Sequence, residues 1–444
     1  MSEFVRPNTE EEFEQNFSQI KPLMNDTEAY YESSRCLFCY DAPCINACPT
    51  RIDIPLFIRQ INTGNTDGAA KTIYDSNYLG NTCGKVCPTD VLCEGACVYN
   101  NQNVKPIEIG RLQSFATTQV INEKKNLYEV GKPNGKKVAI VGAGPAGISC
   151  ACELSRFGFE VDIYEAKSKP TGLIIHGVAP YKITNQNAKD ELEYLQNQLG
   201  FKVHYNHPID TKEKIDNLES TYNAIFLGIG LGQTTRIELE GESLENVFGA
   251  VEFIEHLKLD HSKVMVGKNV IVIGGGNTAM DAASESARMG ANSVKLAYRG
   301  AKDQMSAYEF EYDLAKGVGV KGIFNVAPVE IVSQNGAVNG VKFVNTRYEN
   351  GKLVPIEGTE FIEPCDMVIK ATGQSKMVEF LRLIEGLELD NKNRIVVDDQ
   401  LQTTNKLYFA AGDAMNGGVE VVNAVAEAKV AAQGIKQYLL EVRS

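Results

Sequence analysis

The sequence lacks a long apolar run, a dense basic tract and an apolar segment at its start, and each absence argues against a class of protein. No run approaches the ~18 apolar residues of a transmembrane helix, so we expect no membrane partner. The formal net charge of −13 argues against nucleic-acid binding, because phosphates are neutralised by clustered lysine and arginine. The acidic start MSEFVRPNTEEEFEQ has no apolar region of a secretory signal, so we expect a cytoplasmic protein.

Cysteine is concentrated in two short stretches. Eight of the eleven cysteines lie in CLFCYDAPCINAC, 36–48, and CGKVCPTDVLCEGAC, 83–97. In a reducing cytoplasm, clustered thiols bind metal more often than they form disulfides. Zinc sites favour two close pairs of cysteines, and here only Cys36 and Cys39 form a C-x2-C pair. Cubane iron–sulfur clusters take four thiolates each, so eight thiols suit two clusters.

The proline after Cys48 bears on how these thiols are shared. In two-cluster ferredoxins, the cysteine that precedes proline binds the other cluster rather than that of its neighbours. By this rule we expect Cys48 to leave the first group and one cysteine of the second group to cross back.

The stretch KKVAIVGAGPAGISCACELSRFGFEVDIYEA contains a glycine turn between an apolar strand and a helix. Gly142 permits the tight turn, Gly144 lets the backbone approach a pyrophosphate, and Gly147 lets the helix pack closely on the sheet. The pyrophosphate then meets free N–H groups at the helix N-terminus. Glu165, at the end of the next strand, is placed to accept ribose hydroxyls. The motif predicts a dinucleotide site.

The C-terminal stretch TNKLYFAAGDAMNGG favours FAD at this first site. It places an apolar strand before Gly412 and Asp413, where an acid near a helix start can bind the ribityl chain of a flavin. A simple helix N-cap is the alternative role for Asp413. The ATG at 371–373 predicts a tight turn from strand to loop.

The stretch GKNVIVIGGGNTAMDAASESARMGANSVKLAYRG repeats this pattern with Gly274, Gly276 and Ala279. The following strand ends without an acid, and Arg299 and Lys302 come next. Basic residues here suit the 2′-phosphate of NADP, but Arg299 could equally stack on adenine or face solvent. NAD and NADP both remain open. No C-x-x-C follows the turn, so no thioredoxin-reductase-type dithiol is expected.

These motifs predict an α/β protein in which an all-α iron–sulfur domain precedes two nested Rossmann-like dinucleotide-binding domains. The predicted domains are a helical domain with two [4Fe–4S] clusters at 1–121, an FAD domain at 136–247 and 370–444, and an inserted NAD(P) domain at 248–369.

Three stretches make the chain resemble a known family over essentially its whole length: RCLFCYDAPCINACPT, LGNTCGKVCPTDVLC and PIEIGRLQSFAT at 106–117. It resembles the glutamate synthase small-subunit superfamily. Within that group it is most similar to the N-terminal half of dihydropyrimidine dehydrogenase and to the flavin subunit of the bacterial NAD-dependent enzyme. The resemblance implies the same nested domain order.

The resemblance also implies the cluster ligands. In dihydropyrimidine dehydrogenases a glutamine in the IG-x-LQ context replaces a fourth cysteine; here that residue is Gln113, and Cys83 is left unligated. The implied sets are Cys36, Cys39, Cys44 and Cys97 for cluster 1, and Cys48, Cys87, Cys93 and Gln113 for cluster 2.

Two related families compete with this reading. Glutamate synthase small subunits have a shorter gap than the five residues between Cys87 and Cys93. The large subunit of NADH-dependent reduced-ferredoxin:NADP oxidoreductase shares that gap but tends to carry Glu in place of Gln113. The chain also departs from many relatives at Ala179 and Lys182, where they have Pro and Arg in a loop near the flavin.

The resemblance implies an oxidoreductase of pyrimidine degradation. NAD(P)H would reduce FAD, and two [4Fe–4S] clusters would carry electrons to an FMN/iron–sulfur catalytic subunit that reduces uracil or thymine. The chain itself shows no eight-fold βα pattern for an FMN barrel. The alternatives are an electron-input subunit of a glutamate synthase or of a bifurcating NADH/ferredoxin:NADP oxidoreductase, and a non-catalytic assembly protein.

The candidate nucleotide-binding residues come from the motifs and from this resemblance. For FAD they are Gly142, Gly144, Pro145, Ala146, Gly147, Glu165, Gly172, Leu173, Lys182, Gly412, Asp413, Val419 and Asn423. For NAD(P) they are Gly274, Gly275, Gly276, Asn277, Thr278, Arg299, Lys302, Thr372 and Gly373. No residue is assigned to acid–base catalysis, because the reaction is a hydride transfer between cofactors.

Overall fold

The computed structural model describes residues 4–441 as a mixed α/β protein. None of the helices described in this range combines the length and apolar character that a bilayer crossing requires. The residues divide into two compact units. We call 20–175, 182–231 and 376–441 the flanking unit, and 4–19, 176–181 and 232–375 the inserted unit.

Between residues 4 and 136 the described chain is helical and contains no strand. The helices are α1 Glu10–Asn16, α2 Asp26–Ser34, α3 Pro43–Ala47, α4 Ile54–Asn62, α5 Thr66–Ser76, α6 Gly80–Val86 and α7 Ile109–Asn122, with 3₁₀ turns at Thr89–Val91 and Val98–Gln102. Asn25 and Glu28 form a reciprocal capping box at the start of α2, which satisfies free N–H groups there. Helix α4 buries Phe57, Ile58 and Ile61 on one face, as its apolar spacing predicts.

The next segment alternates strands and helices. Its elements are β1 Lys137–Val141, α8 Pro145–Arg156, β2 Glu160–Tyr164, α9 Leu173–His176, α10 Asn185–Leu199, β3 Lys202–His204, α11 Lys212–Thr221 and β4 Ala224–Leu227. Strands β1 and β4 are almost wholly buried, as expected of apolar strands in a parallel sheet covered on both faces. Helix α10 begins at an N-cap, Thr184, and ends at Gly200 in the left-handed conformation.

The second set of strands forms the sheets of the inserted unit. The elements are β5 Val247–Gly249, α12 Ala250–Asp260, β6 Asn269–Ile273, α13 Asn277–Arg288, β7 Ser293–Tyr298, α14 Glu309–Gly317, β8 Lys321–Phe324, β9 Val326–Gln334, β10 Ala337–Glu349, β11 Lys352–Pro355, β12 Phe361–Glu363 and β13 Met367–Lys370, with 3₁₀ turns at His261–Lys263 and Lys302–Gln304. A parallel sheet has the order β5-β13-β6-β7-β8. Strand β10 pairs antiparallel with β9, β11 and β12.

The C-terminal segment returns to the sheet of the flanking unit. Its elements are α15 Val378–Leu381, β14 Tyr408–Ala410, α16 Asp413–Asn416, α17 Val421–Lys436 and a π-helical turn Gln437–Glu441. The flanking sheet is parallel with the order β14-β4-β1-β2-β3, and Tyr408 lies opposite Ile225 in its register. Strand β14 therefore completes a sheet that began before the inserted unit.

The predicted fold class is confirmed: helices come first, and one parallel α/β sheet is interrupted in sequence by another. Residues 232–375 pack with the inserted unit, and backbone pairing between Thr234 and Gln374 joins the two ends of this segment. The start of the NAD(P)-binding domain at residue 248 stays a prediction.

Candidate cofactor sites

Four cysteines meet at one cavity of the flanking unit, which we call the first cysteine cavity. Cys36, Cys39 and Cys44 reach it from the loop after α2 and the first turn of α3, and Cys97 reaches it from the residue before the 3₁₀ turn. Phe38 has a φ of 51°, which turns the loop back on itself. The remaining lining is largely apolar, including Ile54, Ile58, Ile107 and Ile109.

The protein surroundings disfavour the thiolate form of two cysteines in this cavity, Cys36 and Cys44. Burial raises the pKa of Cys36, and burial raises that of Cys44 to about 12. Neighbouring cysteines add to both shifts, because adjacent thiolates repel one another. A metal supplies the positive charge that makes such thiols ionise, so the chemistry of the donor set fits iron.

A second cysteine cavity lies in the same unit. Cys48 lines it from the end of α3, Cys87 and Cys93 from the loop after α6, and Gln113 from α7. The pKa of Cys87 is raised by a hydrogen bond with the Cys83 thiol and by burial. Burial raises the pKa of Cys93 as well. This cavity also fits an iron–sulfur cluster by its donor set.

The structure thus brings together both predicted sets of ligands, with Cys48 separated from Cys44 and Cys97 joined to the first group. Ligation by these residues stays a prediction. Cys83, expected to be unligated, also lines the second cavity, because it lies in the last turn of α6, where its carbonyl accepts from the Cys87 N–H at 3.0 Å. Within residues 4–441, no group of three or more His, Cys, Asp or Glu side chains is arranged closely enough to hold a single metal ion.

Gln113 is oriented by a hydrogen bond. Its Nε2 donates to the Gly80 carbonyl at 2.6 Å, and the side chain is 6% exposed. With the nitrogen engaged, Oε1 is the amide atom available to a metal, because within a neutral amide only the oxygen has lone pairs free to ligate.

A buried glutamate that sequence reasoning missed holds helix α6 beside the second cavity. Glu191 of α10 is fully buried and accepts hydrogen bonds from the backbone N–H groups of Asn81 and Thr82 at 2.6 and 2.9 Å. It also accepts from the hydroxyl of Tyr74 at 3.1 Å. Burial raises the pKa of Glu191, and these donors oppose the rise. The carboxyl group caps α6, which carries Cys83.

Two more residues near the second cavity were missed. The Glu94 Oε1 accepts from the Gly110 N–H at 2.9 Å and ties the cysteine loop to α7. The Lys21 Nζ donates to the Cys87 carbonyl at 2.9 Å. No sequence signal could have found the contact of Lys21, since it joins residues 66 positions apart.

The first glycine turn has the geometry of a dinucleotide site. Gly142 has a φ of 102°, and a Cβ there would lie 2.5 Å from the Gly228 carbonyl. Gly144 is the N-cap of α8, with Pro145 in the first turn. The Glu165 carboxylate accepts from the Ala143 N–H at 2.8 Å, which holds the acid against the turn. Gly147 packs its Cα against the Gly142 carbonyl.

The C-terminal FAD candidates lie beside this turn. A Cβ on Gly412 would be 3.3 Å from the Ala146 Cβ, so the two backbones are close. Glu427 of α17, which sequence reasoning missed, accepts from the Gly412 N–H at 2.8 Å. Asp413 accepts from the Val419 N–H at 3.4 Å, and burial raises its pKa.

The remaining FAD candidates lie in three places: at the start of α9, in the segment before α10, and in α17. Gly172 has a φ of 53° and faces Gly144 across the turn, whereas Leu173 begins α9. Lys182 is 8% exposed, and Asn423 lies in the first turn of α17.

The second glycine turn joins β6 to α13. Gly274 has a φ of 152°, and a Cβ there would be 2.5 Å from the Ala371 carbonyl. Gly275 packs against the ring of Tyr298, and Gly276 is the N-cap of α13. Asn277 and Thr278 form the first turn, in which the Asn277 Oδ1 accepts from the Tyr308 N–H at 3.0 Å.

The other NAD(P) candidates lie at the carboxyl end of the inserted sheet, where open α/β sheets bind ligands. Arg299 follows β7 and is exposed. The Lys302 Nζ lies 5.4 Å from the ring centroid of Tyr312. Thr372 and Gly373 follow β13, with the Thr372 hydroxyl donating to the Thr235 carbonyl at 2.9 Å.

Two family models match the chain. One, described as dihydropyrimidine dehydrogenase domain II, 4Fe-4S cluster, matches residues 13–125. The other, described as pyridine nucleotide-disulphide oxidoreductase, matches residues 136–428, more than half of the sequence. The chain belongs to the pyridine nucleotide-disulphide oxidoreductase family.

Named relatives extend over nearly the whole chain. The glutamate synthase [NADPH] small chain of Escherichia coli (strain K12) is 34% identical over 453 residues, covering 95% of this chain and 94% of that one. The NAD-dependent dihydropyrimidine dehydrogenase subunit PreT of the same strain is 32% identical over 427 residues, covering 96% and 98%. Among solved structures, Mycobacterium tuberculosis FprA in complex with NADPH has a TM-score of 0.58 at 17% identity, covering 70% of this chain and 86% of that one. This last match shows likeness of fold alone.

This member of the oxidoreductase family is an NAD(P)H-dependent flavoprotein enzyme with FAD and [4Fe–4S] clusters, so the predicted enzyme class and cofactors are confirmed. When bound, FAD accepts a hydride and iron–sulfur clusters carry single electrons. The protein contributes two glycine turns with the geometry of dinucleotide sites and two cavities that present thiols. The matches favour this electron-transfer enzyme over a non-catalytic assembly protein.

Proposed function

We propose that this chain oxidises NAD(P)H and passes electrons, by way of FAD and two [4Fe–4S] clusters, to a partner subunit that reduces uracil or thymine to the 5,6-dihydro form. The observation that carries the proposal is the position of Gln113 on the second cysteine cavity with Cys48, Cys87 and Cys93. A glutamine ligand is what the resemblance to dihydropyrimidine dehydrogenase implies. The family model for residues 13–125 carries that enzyme's name.

Three proposed sites of the flanking unit lie in series: the flavin site, the second cysteine cavity and the first cysteine cavity. Val422 of α17 lines the second cavity and lies between Val419 and Asn423, both FAD candidates. Ile54 lines both cysteine cavities, so they are neighbours. Leu37, which lines the first cavity, is 56% exposed. These positions support an electron path from the proposed flavin site to the second cavity and then to the first cavity near the surface.

The proposed partner is an FMN/iron–sulfur catalytic subunit in a cytoplasmic hetero-oligomer. The strands described in residues 4–441 form two open parallel sheets and one antiparallel sheet, and the proposed partner would supply the barrel for pyrimidine reduction. The similarity to PreT, named as a subunit of an NAD-dependent dihydropyrimidine dehydrogenase, supports this partner.

The proposal is tested with anaerobically purified protein. The chain alone should oxidise NADH or NADPH with an artificial acceptor such as ferricyanide and should leave uracil unchanged. Addition of the catalytic subunit should make NAD(P)H oxidation depend on uracil. Reduction of uracil by the chain alone, or no uracil-dependent oxidation with the partner present, would contradict the proposal.

A glutamate synthase role is the second candidate, favoured by 34% identity to the small chain of that enzyme over 95% of this chain. The two roles are separated by isolating the complex from the cells in which the chain occurs. A complex that forms glutamate with NAD(P)H and is inactive on uracil supports the second role.

A further inference from the structure

Lys21 lies against the loop that carries the second cysteine cavity. Its Nζ donates to the Cys87 carbonyl at 2.9 Å and to the Thr89 hydroxyl oxygen at 3.0 Å. Both acceptors are in the loop after α6, and Thr89 is 2% exposed and lines the cavity. The ammonium group is therefore held by the residues that form the cavity, in a half-buried position.

The ammonium charge of Lys21 lies at the second cysteine cavity. Its Nζ is bonded to the backbone of Cys87, a candidate ligand, and to Thr89, which lines the cavity. A fixed positive charge in this position acts on any charge that the cavity holds.

The first cavity has a different cation. The Arg59 guanidinium stacks 4.7 Å from the ring centroid of Phe38, which lies in the loop that carries Cys36 and Cys39. Arg59 is exposed, so solvent screens its charge more than it screens Lys21. The two cavities thus differ in how strongly a fixed positive charge acts within them.

The carboxyl group of Glu94 lies on the same loop, directly after Cys93. Glu94 is bonded to the Gly110 N–H of α7, whereas Lys21 is bonded to the backbone of a candidate ligand, Cys87. The cation is thus anchored directly on the loop of the site.

We propose that the Lys21 ammonium group is a positioning residue that raises the reduction potential of the cluster bound at the second cysteine cavity. The inference rests on the proposed function, in which that cavity holds a cluster. Reduction adds one electron, and a fixed positive charge in a poorly hydrated site stabilises the more negative state. The site nearest the flavin thereby becomes the better electron acceptor.

The test uses reconstituted full-length protein in a redox titration monitored by EPR. Lys21→Arg keeps the charge, Lys21→Gln keeps a hydrogen-bond donor without the charge, and Lys21→Met removes both. Lys71→Met is the matched control, because Lys71 pairs with Asp75 on α5. A Cys48→Ser variant identifies which EPR signal belongs to the second cavity.

In Lys21→Met and Lys21→Gln, the reduced-to-oxidised ratio of the second-cavity signal at a fixed potential should fall about tenfold, equivalent to about 59 mV for one electron. Lys21→Arg and Lys71→Met should match the wild type, and the other cluster signal should not move. An unchanged potential in Lys21→Met would overturn the inference, as would a wild-type potential in Lys21→Gln. Wild-type protein without any cluster signal would instead overturn the proposed function.

Discussion

At the scale of single residues, the glycines of the first turn serve two different purposes. A Cβ on Gly147 would collide with the Gly142 carbonyl, so this glycine is required for packing of α8 on the sheet. A Cβ on Gly144 would come no closer than 3.9 Å to any protein atom among its nearest neighbours. Gly144 also has a φ of −80°, which any residue adopts. The protein itself does not need a glycine at this position, whereas a bound pyrophosphate does.

We therefore expect Gly144→Ala to fold normally and to lose FAD, because the added methyl group takes the space of the pyrophosphate. Gly147→Ala should both lose FAD and lower the melting temperature, because helix α8 must move away from the sheet. The flavin-to-protein absorbance ratio and thermal unfolding measure the two effects.

Gly276→Ala is the matched control for this pair, since the nearest atom to its Cβ is the Ser306 Oγ at 3.5 Å. It should retain FAD and raise the KM for NAD(P)H. Full flavin content in Gly144→Ala would show that the first turn does not bind the pyrophosphate.

At the scale of elements, helix α6 is held by two neighbouring helices. Gln113 of α7 donates to the Gly80 carbonyl, and Glu191 of α10 accepts from N–H groups in the first turn of α6. Helix α10 belongs to the α/β part of the flanking unit, so the geometry of the cysteine region depends on a helix more than 100 positions away.

Glu191→Ala should destabilise the protein by roughly 3 kcal/mol, because it leaves three buried donors without an acceptor. The second cluster should be lost before the first, since α6 carries residues of the second cavity. Denaturant unfolding and iron content measure both effects. Glu193→Ala, at an exposed position of the same helix, is the control and should behave as the wild type. Equal stability of the two variants would contradict the capping role.

Helix α12 carries a buried lysine in the inserted unit. Burial lowers the pKa of Lys258 to about 7, and Glu285 and Asp281 oppose the shift. An unfolded lysine titrates near ~10.4, so between these values the unfolded chain binds a proton that the folded chain does not. The unfolding free energy of this unit therefore rises with pH across that window, by at most about 1.4 kcal/mol per pH unit.

Lys258→Met should remove this rise, because methionine has a similar length and no proton to bind. Denaturant unfolding at about pH 7 and about pH 9 measures the slope in each variant. Lys263→Met, at a side chain that is 83% exposed, should keep the wild-type slope. The same slope in Lys258→Met would assign the pH dependence to another group.

At the scale of the whole molecule, the chain order and the spatial order differ. The edge strand of the flanking sheet next to β4 is β14, which follows the inserted unit in sequence. The cysteine region and the flanking sheet form one unit, and the second nucleotide-binding sheet forms the other. Metal should therefore affect the stability of the two units differently.

Removal of iron by a chelator should increase amide hydrogen exchange in α6 and α7, because cluster binding and local folding are linked. Exchange in β6 and β7 of the inserted unit should not change. The measurement is hydrogen exchange followed by mass spectrometry, with NAD(P)⁺ addition as the reciprocal control that protects the turn after β6. Equal loss of protection in both units would contradict this division.

The sequence by itself determined the fold class, the two glycine turns and the gathering of thiols, because these depend on neighbours within a few residues. A strand, three glycines and a helix form a local unit, and the Cys48-Pro pair already indicated that one thiol leaves its group. The structure places Cys48 and Cys97 in the groups that this reasoning and the family resemblance implied.

The tertiary structure alone decided the surroundings of these sites. Cys83, which was expected to be unligated, lies on the second cavity, and Glu191 and Lys21 support that cavity by contacts that span 110 and 66 positions of the sequence. The segment 176–181 packs with the inserted unit although its neighbours on both sides do not. Such contacts have no local pattern, because burial and hydrogen bonding join residues by their position in the fold rather than by their spacing along the chain.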